Sequence, residues 1–486
     1  SESIVVELPA QDGPVHIAEY RLYQDPAAHS EADRLVWRGA PTGAPIVVPR
    51  FVDGRDLLYS KFVVYGADGG PSQSHPQYVT DLSGVGAHTF PMPWPASKKG
   101  MSGIVDLEDL IALGCKYAKD NVVLSAMIAW DETTPHDIYV VDGHPIRMNL
   151  TYFRQLDRRY RTLTAAGMNI SVVVLNRVPP PDLPPNVFTH PDTDRAAAPH
   201  RLGAFNLTGE TRLIYYRACL EYFAQRYGRL DGANGWVSQY IIGNEVNAHC
   251  AWHNQGKASK EAVLRDYTDA LRVAWLAVRS RHTEARVYAS MTHAWCYMNR
   301  PDPLSFIRGD ETVELLNRYS KAGGDFPWHV GYHPYPEDLL EPRFWQDRMA
   351  VFSFDTPMIT FRNLEVLVHY MRQPHLLING VSRRIILSEQ GFHCPDTPAG
   401  ETVQAAAFAR AWYTVKHLDG IDAFQLNRHV DNPGEGALKN GLWSDDMDTS
   451  GMQPAHQRLI YQVYKAADTP AWEEAVITKE CCPQCE

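Results

Sequence analysis

The sequence has no apolar run long enough to cross a bilayer, no excess of positive charge and no internal repeat of solenoid period. The first absence excludes a membrane-spanning helix. The second, a formal net charge of −11, argues against nucleic acid and anionic membrane as partners. The third sets aside stacked repeat architectures. No GxGxxG turn follows an early strand, which weakens a doubly wound dinucleotide-binding sheet. No HExxH occurs and no HxH closes a first strand, which leaves little for a metal-dependent hydrolase. Cysteines are present but uneven. Cys115, Cys219, Cys250, Cys296 and Cys394 are scattered and read as small buried hydrophobes. Cys481, Cys482 and Cys485 crowd the end, and Cys482-Pro-Gln-Cys485 is half of a zinc or redox pattern without its other half. Residues 471–486 therefore read as a flexible cysteine-containing tail. The chain opens Ser1-Glu2-Ser3, not on methionine, and a secreted or periplasmic location with a removed leader is the expectation.

What is there is enough for one large core. A chain of 486 residues with 44% hydrophobic content can fill a full barrel and carry a smaller unit beside it. Residues 1–95 read as a β-rich domain, either a small sandwich or a sheet packed on the main unit. Ile4–Leu8, Val15–Tyr23, Leu35–Arg38, Ile46–Phe51 and Leu57–Tyr65 are short Val, Ile and Tyr runs separated by Gly, Pro and Asp clusters. From there to residue 470 the pattern alternates strand with helix. The strands are expected near Met101–Val105 and over Asn121–Ala129, Asn169–Leu175, Trp236–Gly243, Arg286–Thr292, Trp328–His333, Arg384–Ser388 and Ile421–Leu426. Eight strands, each followed by a helix, predict a (β/α)8 barrel. Long inserts over residues 177–210 and 429–454 follow the third and eighth strands, on the face where barrel sites are built.

Two of the expected strands run out at a glutamate. Val237-Ser-Gln-Tyr-Ile-Ile-Gly-Asn-Glu245 closes the fourth, and Arg384-Ile-Ile-Leu-Ser-Glu389 closes the seventh. A carboxylate at the end of an apolar run is costly to bury unless it is paired or used. Two of them facing across a barrel mouth are what glycosidic cleavage requires. One protonates the departing oxygen and one attacks the anomeric carbon, with the carboxyls about 5–5.5 Å apart in a retaining mechanism. Other strand ends are polar too. Asn176 and Arg177 end the third and either bind hydroxyls or order the loop; His293 follows the fifth as a substrate ligand or a satisfied rim histidine. Gln425, Asn427 and His429 alternate at the end of the eighth and share one face, where inward polar residues read as functional, Gln425 and Asn427 as substrate ligands. Trp130, Trp252, Trp295, Trp328 and Trp443 lie in or near strand-end loops, where indoles stack on sugar rings or simply pack; Trp443 is the first choice for a platform under the reacting sugar.

Gly243-Asn244-Glu245 and Ser388-Glu389-Gln390-Gly391 resemble the acid/base and nucleophile motifs of the clan of retaining glycoside hydrolases with catalytic glutamates on strands four and seven of a (β/α)8 barrel. The resemblance spans roughly residues 100–465. It implies Glu245 as acid/base, Glu389 as nucleophile and Asn244 as the ligand of the sugar 2-hydroxyl. It also implies that Tyr332 or His333, at the end of strand six, donates to the nucleophile. Carbohydrate is the implied partner and no cofactor or metal is required. Two other readings stand beside it: a metal hydrolase using His249, His253, His293, His333 and His393, and a sugar-binding barrel without turnover.

Overall fold

A computed structural model describes residues 2–28, 35–66, 74–86, 94–298, 300–446 and 452–477. The cysteines of the tail lie outside the described residues. Eight parallel strands close into one barrel, in chain order Lys99–Met101, Tyr117–Val123, Asn169–Leu175, Val237–Ile242, Arg286–Thr292, Trp328–His333, Ile385–Gln390 and Ile421–Leu426. The eighth pairs with the first, Leu426 opposite Met101. These strands are Val-, Ile- and Tyr-rich and almost wholly buried, as a parallel sheet covered by helices requires.

The period of two sorts each strand into an inner and an outer face. Tyr117, Val173, Ile241, Tyr288, Ile386 and Ala423 meet inside the barrel. Val172, Ile242, Val287, Val330 and Leu387 face the surrounding helices, Glu210–Tyr227, Lys260–Arg279, Gly309–Ala322 and Gly400–His417 among them. The interior also holds a polar belt: Gln425 Nε2 donates to Ser171 Oγ at 2.6 Å, and Ser171 donates in turn to Gln239.

Sequence and structure part company in a few places. The second strand starts at Tyr117, four residues earlier than expected, and Leu124–Met127 forms a 3-10 turn instead of continuing it. A hairpin, His136–Val141 with His144–Asn149, precedes the second barrel helix and was not anticipated. The helix expected over residues 455–466 begins only at Leu459, because Pro454–Gln457 pair with Trp443–Asp445. The short helix Trp472–Ile477 extends past the expected start of the tail, with Trp472 and Val476 packed on the core.

The N-terminal strands form a two-stranded sheet, Ser3–Val6 with Ile46–Pro49, and a three-stranded one in which Val15–Arg21 lies between Leu35–Gly39 and Ser60–Gly66. Ile4, Ile17, Ile46, Val48 and Phe62 pack between them. This unit is joined to the barrel by Leu22, Leu58 and Tyr59, which enter the main apolar core, and by charge. Arg217, on the helix Glu210–Tyr227, lies over the Tyr59 ring at 3.7 Å and pairs with Asp142 at 2.6 Å, while Asp142 accepts from Asp56 N–H.

Candidate active site

The site lies at the C-terminal mouth of the barrel and is built from inward-facing strand ends. Lys119 shares the inner face of strand two with Tyr117. Only 5% of its side chain is exposed, and its ammonium meets Glu389 Oε2 at 2.9 Å. Glu389 belongs to strand seven. Strict alternation would turn it outward with Leu387, but the register with strand eight slips between Leu387 and Gln390. Such an irregularity re-aims a strand end. The other oxygen, Oε1, accepts from Tyr335 OH at 3.4 Å, and Tyr335 OH accepts from Asn427 Nδ2 at 3.1 Å.

These contacts decide the charge on Glu389. Burial pushes its carboxyl up, and this is the largest single influence. The charges of Lys119 and His333, with the hydrogen bonds from Lys119 and Tyr335, outweigh it and bring the pKa down to about 2. Glu389 is thus an anion at any pH at which the protein would work.

Glu245 is held differently. It follows strand four in a tight turn with φ at 76° for Gly243 and 42° for Glu245. The positive φ of Gly243 calls for glycine, and a Cβ there would also stand tight against His253, 3.3 Å from its Nδ1. The turn is tied to strand five. Glu245 N–H donates to Ser290 Oγ at 2.9 Å, and Asn247 exchanges hydrogen bonds with Thr292, both at 2.9 Å. His333 then bridges the two halves of the site. Its Nδ1 lies 2.7 Å from Glu245 Oε1, and its Nε2 lies 3.1 Å from the hydroxyl of Ser388, the neighbour of Glu389. With Nδ1 donating, Glu245 Oε1 accepts, and Oε2 is left to take or give a proton.

Residues 91–481 match a family of unknown function (DUF5722). The chain belongs to this family. No curated protein matches it. Among solved structures, it is similar to a family 39 glycoside hydrolase from the gut symbiont Bacteroides cellulosilyticus WH2, with 13% identity over 96% of this chain and 79% of that one and a TM-score of 0.44. A hyperthermophilic beta-glucosidase from Pyrococcus furiosus is 16% identical over 77% of this chain and 86% of that one, with a TM-score of 0.46. A monomeric beta-xylosidase from Caulobacter crescentus CB15 is 14% identical over 76% and 67%, with a TM-score of 0.43. The barrel itself rests on the closed eight-strand register described above.

The expected site residues of this family member divide into three groups. Glu245, Glu389, His333 and Asn427 come together through the contacts above, and Asn244 is buried beside Glu245. His293 is 9% exposed, and burial, followed by the charge of His333, lowers its pKa to about 4, so it stands neutral at the rim.

A second group serves the walls. Asn176 Nδ2 donates to Phe188 O and Ala204 O at 2.7 and 2.6 Å, which anchors the 177–210 insert; Arg177 is exposed and bridges to Leu202. Trp252 is covered on one face by His200, ring centroids 3.7 Å apart and nearly parallel. Trp443 donates its indole N–H to Asp109 at 2.8 Å, an acceptor shared with His429 at 2.9 Å, and the three tie the 429–454 insert to the helix Leu107–Ala112.

The third group needs correction. His333 is not the hydrogen-bond donor to Glu389, since its ring nitrogens meet Glu245 and Ser388. Tyr332 is not the donor either. It faces the helices with Trp328 and Val330, fully buried, because strand six alternates and only His329, Gly331 and His333 point inward. The donor is Tyr335, two residues beyond the strand. Gln425 is also fully buried, within the barrel and beneath the mouth, bonded to Ser171. The strand-end histidines do not converge either: among the described residues no three His, Cys, Asp or Glu side chains form a metal-binding group. Lys119 and Tyr335 were missed from sequence. The available signal for Lys119 was a cation two residues after Tyr117, on the parity of strand two that also carries Asn121 and Val123.

Proposed function

We propose that this chain is a retaining O-glycoside hydrolase acting on an oligo- or polysaccharide. The observation that carries the proposal is the opposite preparation of the two glutamates. Glu389 is kept anionic by Lys119 and Tyr335, which suits attack on an anomeric carbon. Glu245 has one oxygen fixed by His333 and the other open, which suits proton transfer.

In the first step Glu389 attacks the anomeric carbon, and Glu245 gives its proton to the departing glycosidic oxygen. The carbon–oxygen bond to the leaving group breaks as the ester to Glu389 forms. In the second step Glu245, now ionised, takes a proton from water. The water oxygen attacks the same carbon and expels Glu389. Two inversions give net retention. Lys119 and Tyr335 help in the second step as well, because negative charge returns to Glu389 as the ester breaks. Asn244 is the proposed ligand of the 2-hydroxyl.

Proton NMR of the first-formed sugar tests this. A hydrolysed glycoside should release product with the substrate's own anomeric configuration before mutarotation. Release of the opposite anomer would remove Glu389 from the nucleophile's role.

A further inference from the structure

Asn427 was expected to touch substrate, yet both ends of its side chain are engaged by protein. It is 7% exposed. Its Oδ1 accepts from Ser102 Oγ at 2.8 Å, and its Nδ2 donates to Tyr335 OH at 3.1 Å. An amide nitrogen cannot accept, so the phenol proton has no use for Asn427. Glu389 Oε1, at 3.4 Å, is the acceptor left to it. Ser102 is 1% exposed and follows the first barrel strand; its hydroxyl lies 2.8 Å from Asn427 Oδ1 and 3.3 Å from Leu426 O. The result is a chain of three hydrogen bonds running in one direction, Ser102 to Asn427 to Tyr335 to Glu389. Hydrogen bonds in such a chain polarise one another. The reverse amide orientation would turn the phenol's lone pairs toward an anionic carboxylate, so the charge on Glu389 and the direction of the chain favour each other.

We propose that Ser102 and Asn427 are positioning residues that commit the Tyr335 proton to Glu389. Strands one and eight thereby act on a carboxylate of strand seven without touching substrate. The effect on ionisation stands on geometry alone; the effect on rate rests on reading Glu389 as the nucleophile.

Two measurements separate these. In protein labelled with [δ-13C]glutamate, the carboxyl signal lost in Glu389→Gln is followed from neutral pH downward. Tyr335→Phe and Asn427→Ala should each move its titration upward, with Ser102→Ala moving it less in the same direction. The double variant Tyr335→Phe/Asn427→Ala should titrate with Tyr335→Phe alone. Additive movements would overturn the chain, as would an unmoved titration in Asn427→Ala with unchanged far-UV dichroism. On an aryl glycoside, Asn427→Ala should lower kcat about tenfold at unchanged KM, the worth of one weakened hydrogen bond to a charged group. In the Tyr335→Phe background that loss should vanish. A raised KM that persists in that background would make Asn427 a substrate ligand and overturn the proposal. Titrations as expected in a protein that hydrolyses no glycoside would uphold the chain and sink the function.

Discussion

Replacing Lys119 with methionine removes the ammonium that Glu389 Oε2 touches at 2.9 Å and keeps most of the stem that fills the barrel interior. The wild-type carboxyl stands at about 2 against an ordinary 4.5. That gap is worth about 3 kcal/mol in favour of the anion. Burial is the largest single influence on Glu389 and acts against the anion. Without the ammonium only His333 and Tyr335 oppose it, and the pKa should rise. The side chain of Glu389 is 29% exposed, so solvent softens the cost below that of breaking a fully buried pair. We expect the variant to lose about 1–3 kcal/mol at pH 7.

The sign of the pH dependence follows. In the wild type the lowered pKa gives stability that is present above 4.5 and lost as pH falls through about 2. In the variant that contribution shrinks, because the carboxyl titrates at a higher pH. The gap between the two proteins should therefore be widest near neutrality and close on acidification. Urea unfolding midpoints at pH 8, 7, 6 and 5 measure it, and the acid limb of kcat/KM should climb with the same pKa. A gap that does not change with pH, together with an unmoved acid limb, would refute the electrostatic account of Lys119.

Other outcomes follow from single contacts. Glu245→Ala should cost about 10²–10⁴-fold on a glycoside with a poor leaving group and much less on an activated aryl glycoside; azide should restore turnover and yield a glycosyl azide of retained configuration. Tyr332→Phe should leave kcat and KM within about twofold and stability unchanged or slightly higher, because its hydroxyl is buried without a hydrogen-bond partner among the described residues. Gly243→Ala forces a side chain onto φ 76° and against His253. It should cost about 1–3 kcal/mol in thermal unfolding and, by tilting Glu245, lower kcat more than it raises KM.

How far the sequence carries can be seen strand by strand. Asn169–Leu175, Arg286–Thr292, Trp328–His333 and Ile421–Leu426 sit where their apolar runs place them, because a strand buried on both faces reads as a continuous hydrophobic stretch. The second strand starts earlier than its apolar run suggests because of its own polar residues. Lys119, Asp120 and Asn121 interrupt its pattern, Asp120 to meet Arg159 outside the barrel at 3.1 Å and Lys119 to meet Glu389 inside it. The residue that conditions the proposed nucleophile is the one that hid its own strand. The hairpin His136–Asn149 was readable in principle. Asp142-Gly143, with φ at 48° and 80°, is a strong short-range turn signal between two β-prone runs. Tyr335 was not readable, since it lies beyond the strand whose alternation sorts its neighbours. The two glutamates were legible because each ends an apolar run with a charge; which groups tune them depends on contacts from strands one, two, six and eight that no local pattern records.

The central claim is that Glu389 forms a covalent bond to sugar. A panel of 2-deoxy-2-fluoro glycosides with dinitrophenyl leaving groups, followed by intact-mass and peptide analysis, tests it directly. The expected result is one glycosyl adduct per chain, on the peptide carrying Ser388-Glu389-Gln390, absent in Glu389→Gln. An adduct on any other residue, or an active enzyme that is never labelled and releases inverted product, would contradict it.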